Sequence, residues 1–107
     1  MQVQAELAVV VAGGFPCVVR LVGELDLASV SRVSERLADL HSDIEVDCSR
    51  LDFIDAAGLR ALLAAQCACA ARGSTLVVVE PSRPMRRLLD LTGLDTVLVR
   101  RCNGSTR

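Results

Sequence analysis

Hydrophobic residues recur along this chain with two different periods, and the order in which those periods alternate leaves few folds open. Val3, Ala5, Leu7 and Val9 alternate with Gln2, Gln4, Glu6 and Ala8, as in a strand over residues 3–11 with one buried face. Gly13-Gly14 and Pro16 signal a turn, and residues 17–22 read as a second strand, so the two are expected to form a hairpin at a sheet edge. Gly23-Glu24-Leu25-Asp26 breaks the run. Leu27, Val30, Val33, Leu37 and Leu40 then take helical spacing, with Asp26 or Ser29 available as a cap. Residues 44–48 read as a third strand. Asp55 suits the N-cap of a second helix with a core-facing stripe of Leu59, Leu62, Leu63, Gln66, Cys67 and Ala70, terminated by Gly73. Residues 75–80 form a nearly continuous apolar strand. Ser82 and Pro84 open a third helix with Met85, Leu88 and Leu89 inward and Arg86 and Arg87 outward, closed by Gly93, and residues 97–99 form a last short strand. The order ββαβαβαβ describes a single α/β domain: a mixed sheet with parallel crossovers and an antiparallel edge hairpin, with helices packed against it. The domain is expected over residues 1–100, followed by a flexible tail over 101–107.

Composition removes several classes of function. The 107 residues carry a formal net charge of −1, without the basic excess of a dedicated nucleic-acid binder. Phe15 and Phe53 are the only aromatic residues, too few to stack single-stranded bases. Although 51% of residues are hydrophobic, the longest uncharged stretch, residues 7–19, contains Gly13-Gly14 and Pro16 and falls short of the roughly 20 apolar residues of a spanning helix. Glu6, and the lack of Lys or Arg before Arg20, speak against a signal peptide. The chain reads as soluble and cytoplasmic, with no direct membrane insertion.

Five cysteines (17, 48, 67, 69 and 102) make an odd number without a CxxC pair, so no disulfide framework is expected. Cys67 and Cys69, two apart on a helix, diverge by about 200° and do not form a chelating pair. Cys17 and Cys48 fall in strands as small hydrophobes. Cys69 and Cys102 are the candidates for an exposed, redox-active thiol. His41, the only histidine, sits at a helix end as a solvated residue. Asp47, Asp52 and Asp55 cluster near the C-terminal end of a strand, where a divalent cation has a conceivable site, but capping and solvation account for them more simply. Nucleophile elbow, phosphate-binding loop and paired-histidine motifs are all missing, so neither catalysis, a metal nor a cofactor is expected.

The most informative segment is Leu51-Asp52-Phe53-Ile54-Asp55-Ala56-Ala57-Gly58-Leu59-Arg60-Ala61-Leu62. It resembles the signature of the STAS domain, the fold of bacterial anti-sigma factor antagonists, in which a strand leads through an F-x-D-S-S-G-L type sequence into a helix. Gly23-Glu24-Leu25-Asp26 is similar to that family's G-E-L-D segment, and Met85 to Leu89 with Thr92-Gly93-Leu94 to its last helix and following turn. The resemblance covers nearly the whole chain in matching order. It implies a protein switch: the antagonist binds a kinase-type anti-sigma factor and so frees a sigma factor, and the kinase inactivates it by phosphorylating a serine of the D-S-S-G element. By position, Asp55 matches the family aspartate, Gly58 the glycine, and Ala56 and Ala57 the two serines, with Ala57 at the phosphoacceptor position.

Alanine has no hydroxyl to accept a phosphoryl group. The resemblance therefore implies an antagonist that is constitutively competent or controlled by another route. Partner contacts are expected at Asp26, Leu27 and Ala28 and over Asp55, Ala56, Ala57, Gly58, Leu59 and Arg60. They extend to Ala61 and Ala64 because Ala57, Ala61, Ala64, Ala68 and Ala71 share one helical stripe, where small side chains permit close approach; alanine's high helix propensity is the simpler reason for such a stripe. Arg83, Arg86, Arg87, Arg100 and Arg101 are the only basic concentration, read as a solvated face. Two other readings stay open: a cytosolic STAS subunit of an ABC-type membrane transport assembly, which needs no phosphorylatable serine, and a STAS regulator switched through cysteine oxidation. Oligomeric state is not legible.

Overall fold

The computed structural model describes residues 7–99. Strand β1 (Leu7–Ala12) pairs antiparallel with β2 (Cys17–Leu25), from Leu7 opposite Gly23 to Ala12 opposite Val18, which is the expected edge hairpin. Positions 3 and 5 of the opening alternation lie outside the described residues, as does the expected tail over 101–107. Parallel to β2 runs β3 (Ile44–Ile54), and parallel to β3 runs β4 (Leu76–Val79), giving a four-stranded sheet in chain order. Its pleat sorts the side chains: Leu7, Val19, Leu21, Ile44, Val46, Cys48, Leu76 and Val78 are buried on one face, while Val10, Arg20, Glu45 and Val77 alternate toward the other. The helices close the buried face. Val33 and Leu37 come from α1 (Val30–Ala38), Leu59 and Leu62 from α2 (Ala56–Ala71), Met85 and Leu89 from α3 (Arg83–Thr92), and Leu98 from the short α4 (Asp95–Leu98).

Four expectations change. The first helix starts at Val30 rather than Leu27, because Asp26 and Ser29 fold the intervening residues into a hydrogen-bonded turn; Leu27 is 77% exposed. The third strand continues past Cys48 to Ile54, since its distal half still pairs with β2 as far as Leu25 opposite Ile54. The last strand is absent: residues 95–98 form α4, in which Leu94 O accepts from the amides of Val97 and Leu98, and Val99 retains only an isolated parallel bridge to Val78. One helical turn brings Leu98 fully into the core. Finally, the buried stripe of α2 is Gly58, Leu59, Leu62 and Cys69, while Cys67 is exposed. This helix is apolar nearly all round, so its sequence offers no polar face from which to read its phase.

The C-terminal part of the sheet is asymmetric. Strand β4 ends at Val79 opposite Asp47, and the Ser82 amide then donates to Cys48 O at 3.1 Å. Helix α3 follows and packs against β3. It is capped by Ser82, whose Oγ accepts from the Met85 amide, and closed by Gly93 in the left-handed conformation at φ 72°.

One polar side chain braces this assembly. Gln66 on α2 donates from Nε2 to Leu76 O at 2.9 Å and to Val97 O at 2.8 Å, tying the helix to β4 and α4 at once. Gln66→Leu keeps the volume and removes both bonds, and it is expected to destabilise the fold by about 1–3 kcal/mol. Urea denaturation with an unchanged m-value is the check.

Candidate functional site

The two segments that stood apart in the sequence meet where β2 and β3 end. The Asp55 amide donates to Leu25 O at 3.2 Å, joining the end of β3 to the end of β2. Each strand leads through an aspartate into a helix. After β2, Asp26 Oδ1 accepts from the amides of Ala28 at 3.0 Å and Ser29 at 3.2 Å. Ser29 is buried; its Oγ accepts from the Asp26 amide and donates to Glu24 O, both at 3.0 Å. Both residues named as cap candidates thus serve the turn, and Ser29 makes no side-chain cap bond to α1. After β3, Asp55 is the N-cap of α2, with Oδ1 accepting from the Gly58 amide at 2.9 Å.

These anchored turns leave an open groove of about 740 Å³ between the two helices, lined by Leu27, Val30 and Ser34 on one side and Ala57, Arg60, Ala61 and Ala64 on the other. A narrower cavity of about 190 Å³ continues along the same seam past Ala65 and Ala68 to Arg72. The alanines set its width: each ends at Cβ, so the facing helices touch without filling the space between them. Five of the residues expected at a contact, Leu27, Ala57, Arg60, Ala61 and Ala64, are brought together here. Asp26, Ala28, Asp55 and Ala56 belong to the two turns at its head. Gly58 and Leu59 are a correction, because both are buried, Leu59 to 3% exposure, and neither is available to a partner. Sequence reasoning missed Val30, Ser31 and Ser34, which also line the groove. Their only signal was the outer flank of the α1 stripe.

Gly58 is where the two turns press closest. A Cβ there would stand 2.7 Å from Leu25 O, 2.7 Å from Leu25 Cγ and 3.1 Å from Ile54 Cγ1. Glycine is required by this approach of helix to strand.

The other candidates disperse. Cys69 is 1% exposed, with its Sγ 3.6 Å from Arg72 Nη2, so it is not the exposed thiol expected. The stripe Leu59–Leu62–Cys69 turns it inward, and on this helix Cys67 is the exposed cysteine. Cys102 lies outside the described residues. Cys17 and Cys48 are buried in their strands; burial, with Asp47 adding to it, pushes the Cys48 thiol up to about 12. Asp47 faces away from the groove and pairs with Arg20 at 3.4 Å. Burial raises its pKa, but hydrogen bonds from Ser49 and Arg20 outweigh that and hold the carboxyl below its ordinary value. Among the described residues no group of three or more His, Cys, Asp or Glu stands close enough to hold a metal ion. No described helix is long and apolar enough to cross a membrane.

A mixed four-stranded sheet with helices on one face is a fold this chain shares with known proteins. A family model described as "Mlab, STAS domain" matches residues 9–100, and the chain belongs to this family. Among solved structures, an anti-sigma factor antagonist from Mycobacterium paratuberculosis matches with a TM-score of 0.76 at 22% identity, over 87% of this chain and 83% of that one. The anti-sigma factor antagonist SpoIIAA in its unphosphorylated form matches with a TM-score of 0.72 at 21% identity, over 91% and 90%. A sulfate transporter family protein from Wolinella succinogenes matches with a TM-score of 0.64 at 23% identity, over 76% and 69%. At these identities the likeness is one of fold. A search of curated proteins finds no match to this sequence.

Gly58→Ala tests the packing beneath the groove. Because the nearest obstacle includes backbone, the helix must shift, and a loss of about 1–3 kcal/mol is expected, read as a lower thermal midpoint. A thermal midpoint equal to that of the parent would show that the helix start is free to move.

Proposed function

We propose that this protein works by contact with another protein through the α1–α2 groove, as an anti-sigma factor antagonist in the cytoplasm that binds a kinase-type anti-sigma factor and releases a sigma factor. The observation that carries the reading is the convergence of the Gly23–Asp26 turn and the Asp55–Gly58 helix start on one open groove, with Leu27 exposed at its rim and small residues along its wall. An exposed aliphatic side chain beside a shallow groove suits a knob-and-socket contact with a partner helix.

By its resemblance to anti-sigma factor antagonists, the chain carries Ala57 where a phosphoacceptor serine is expected. A helix start capped by Asp55 presents amides and a favourable dipole to an anion, but a methyl side chain offers nothing to phosphorylate. The protein is then competent to bind at all times, or it is governed by something other than phosphorylation. Titration of the purified protein against each kinase-type anti-sigma factor of the source genome, with and without nucleotide, tests the assignment; lack of binding to all of them would overturn it. Ala61→Glu and Ala64→Glu are expected to weaken the complex by about tenfold or more by placing a charge on the apolar wall, with the thermal midpoint of the free protein unchanged. Ala57→Ser is expected to create a phosphate acceptor for a kinase that binds, read by intact-mass spectrometry. A binding kinase that leaves the serine variant unmodified would remove position 57 from the assignment.

A second reading, in whose favour a sulfate transporter family protein carries the same fold, is a STAS subunit docked on the ATPase of an ABC-type transport assembly. It uses the same groove without a serine. Co-purification with an ATPase subunit in place of an anti-sigma factor would decide for it.

A further inference from the structure

A second concave surface lies away from the α1–α2 groove. Because β4 stops at Val79, the distal half of β3 has helix α3 as its neighbour, and helix and strand do not close completely. Between them is a groove of about 380 Å³ lined by Phe53 and Ile54 of β3 and by Arg83, Arg87, Leu88 and Leu91 of α3. Phe53 is 44% and Leu91 78% exposed, two of the few large apolar side chains presented to solvent. Arg86 and Asp90 flank an adjoining hollow of about 280 Å³. Arg83, Arg86 and Arg87 are exposed, and among the described residues none of their guanidinium groups has an ion-pair or hydrogen-bond partner. Asp90 is the one acid among the residues lining the two hollows, with Glu24 opposite Phe53 on β2, although the chain as a whole carries a net charge of −1. Positive charge is thus concentrated around one apolar groove on an otherwise acid-balanced protein.

We propose that this groove binds an acidic amphipathic helix of a partner protein. Its apolar side chains would pack between Phe53 and Leu91, and carboxylates one helical turn apart would meet Arg83 and Arg87, themselves one turn apart on α3. Arginine suits the role because its guanidinium forms paired, directional bonds to carboxylate. The groove is elongated along a helix, open to solvent and charged on its rim, the form of a helix-in-groove site. The two grooves share no lining residue, so the protein has two surfaces with which to bridge partners.

The probe is a fluorescein-labelled synthetic helical peptide with a leucine stripe flanked by glutamates, compared with the same peptide carrying lysine for glutamate. Fluorescence anisotropy is expected to show saturable binding of the glutamate peptide that weakens with added salt, with amide NMR shifts concentrated at Phe53, Arg83, Arg87 and Leu88. The double variant Arg83→Glu/Arg87→Glu is expected to lose about tenfold or more in affinity. Both sites are exposed and acids are favourable near a helix N-terminus, so its thermal midpoint should hold. Ala61→Glu, in the other groove, should leave peptide binding unchanged whether or not an anti-sigma factor is the partner there. Equal binding of the lysine peptide, shifts confined to the α1–α2 groove, or attachment to phosphatidylglycerol vesicles without peptide binding would each overturn the proposal.

Discussion

The contact on which the candidate site depends is the approach of the first turn of α2 to the end of β2. Gly58 lies against the carbonyl and side chain of Leu25, and the Asp55 amide bonds to the same carbonyl. Side-chain bulk at position 58 would push α2 away from the sheet and open the seam along α1. With hydrogen there, the Asp55 cap, the Asp26–Ser29 turn and the groove between the helices fall into one arrangement. The two aspartates hold backbone amides with their Oδ1 atoms, so in this protein they serve first as local architecture. The groove they frame is lined by Leu27, Arg60 and the alanine wall.

A second consequence follows from unequal strand lengths. Strand β3 has 11 residues and β4 only four, so half of β3 needs a neighbour that is not a strand. Helix α3 fills that place, burying Met85 and Leu89 while its arginines stay outside. A helix cannot match a strand edge as another strand does, and a groove remains beside Phe53. The same mismatch that shortens the sheet supplies the second surface.

The alanine pair at 56 and 57 leaves the architecture of the helix start intact. Asp55 caps the start of α2 by accepting from the Gly58 amide, and the residues between them, Ala56 and Ala57, carry no hydroxyl.

Much of this was legible from patterning. The period-two strands, the edge hairpin, the Asp55 cap, the inward face of α3 and its Gly93 stop depend on local conformational preference and the alternation of apolar and polar residues. Where patterning had no contrast, it misled. Helix α2 is apolar on nearly every face, so the expected stripe matches the buried one at Leu59 and Leu62 but departs from it further on, where Cys69 is buried and Cys67 exposed; the contact expected at Leu59 rested on the family resemblance and not on its spacing. Residues 97–99 have strand composition, yet placing Leu98 in the core required a helical turn. What the sequence determined by itself was the order and type of most elements and the loss of the hydroxyl, because these depend on residues near one another in the chain. Only the tertiary structure decided that Leu27 faces Ala61 across a groove and that Phe53 shares a groove with Arg83 and Arg87, because such neighbours are set by helix packing and strand length rather than by any local preference.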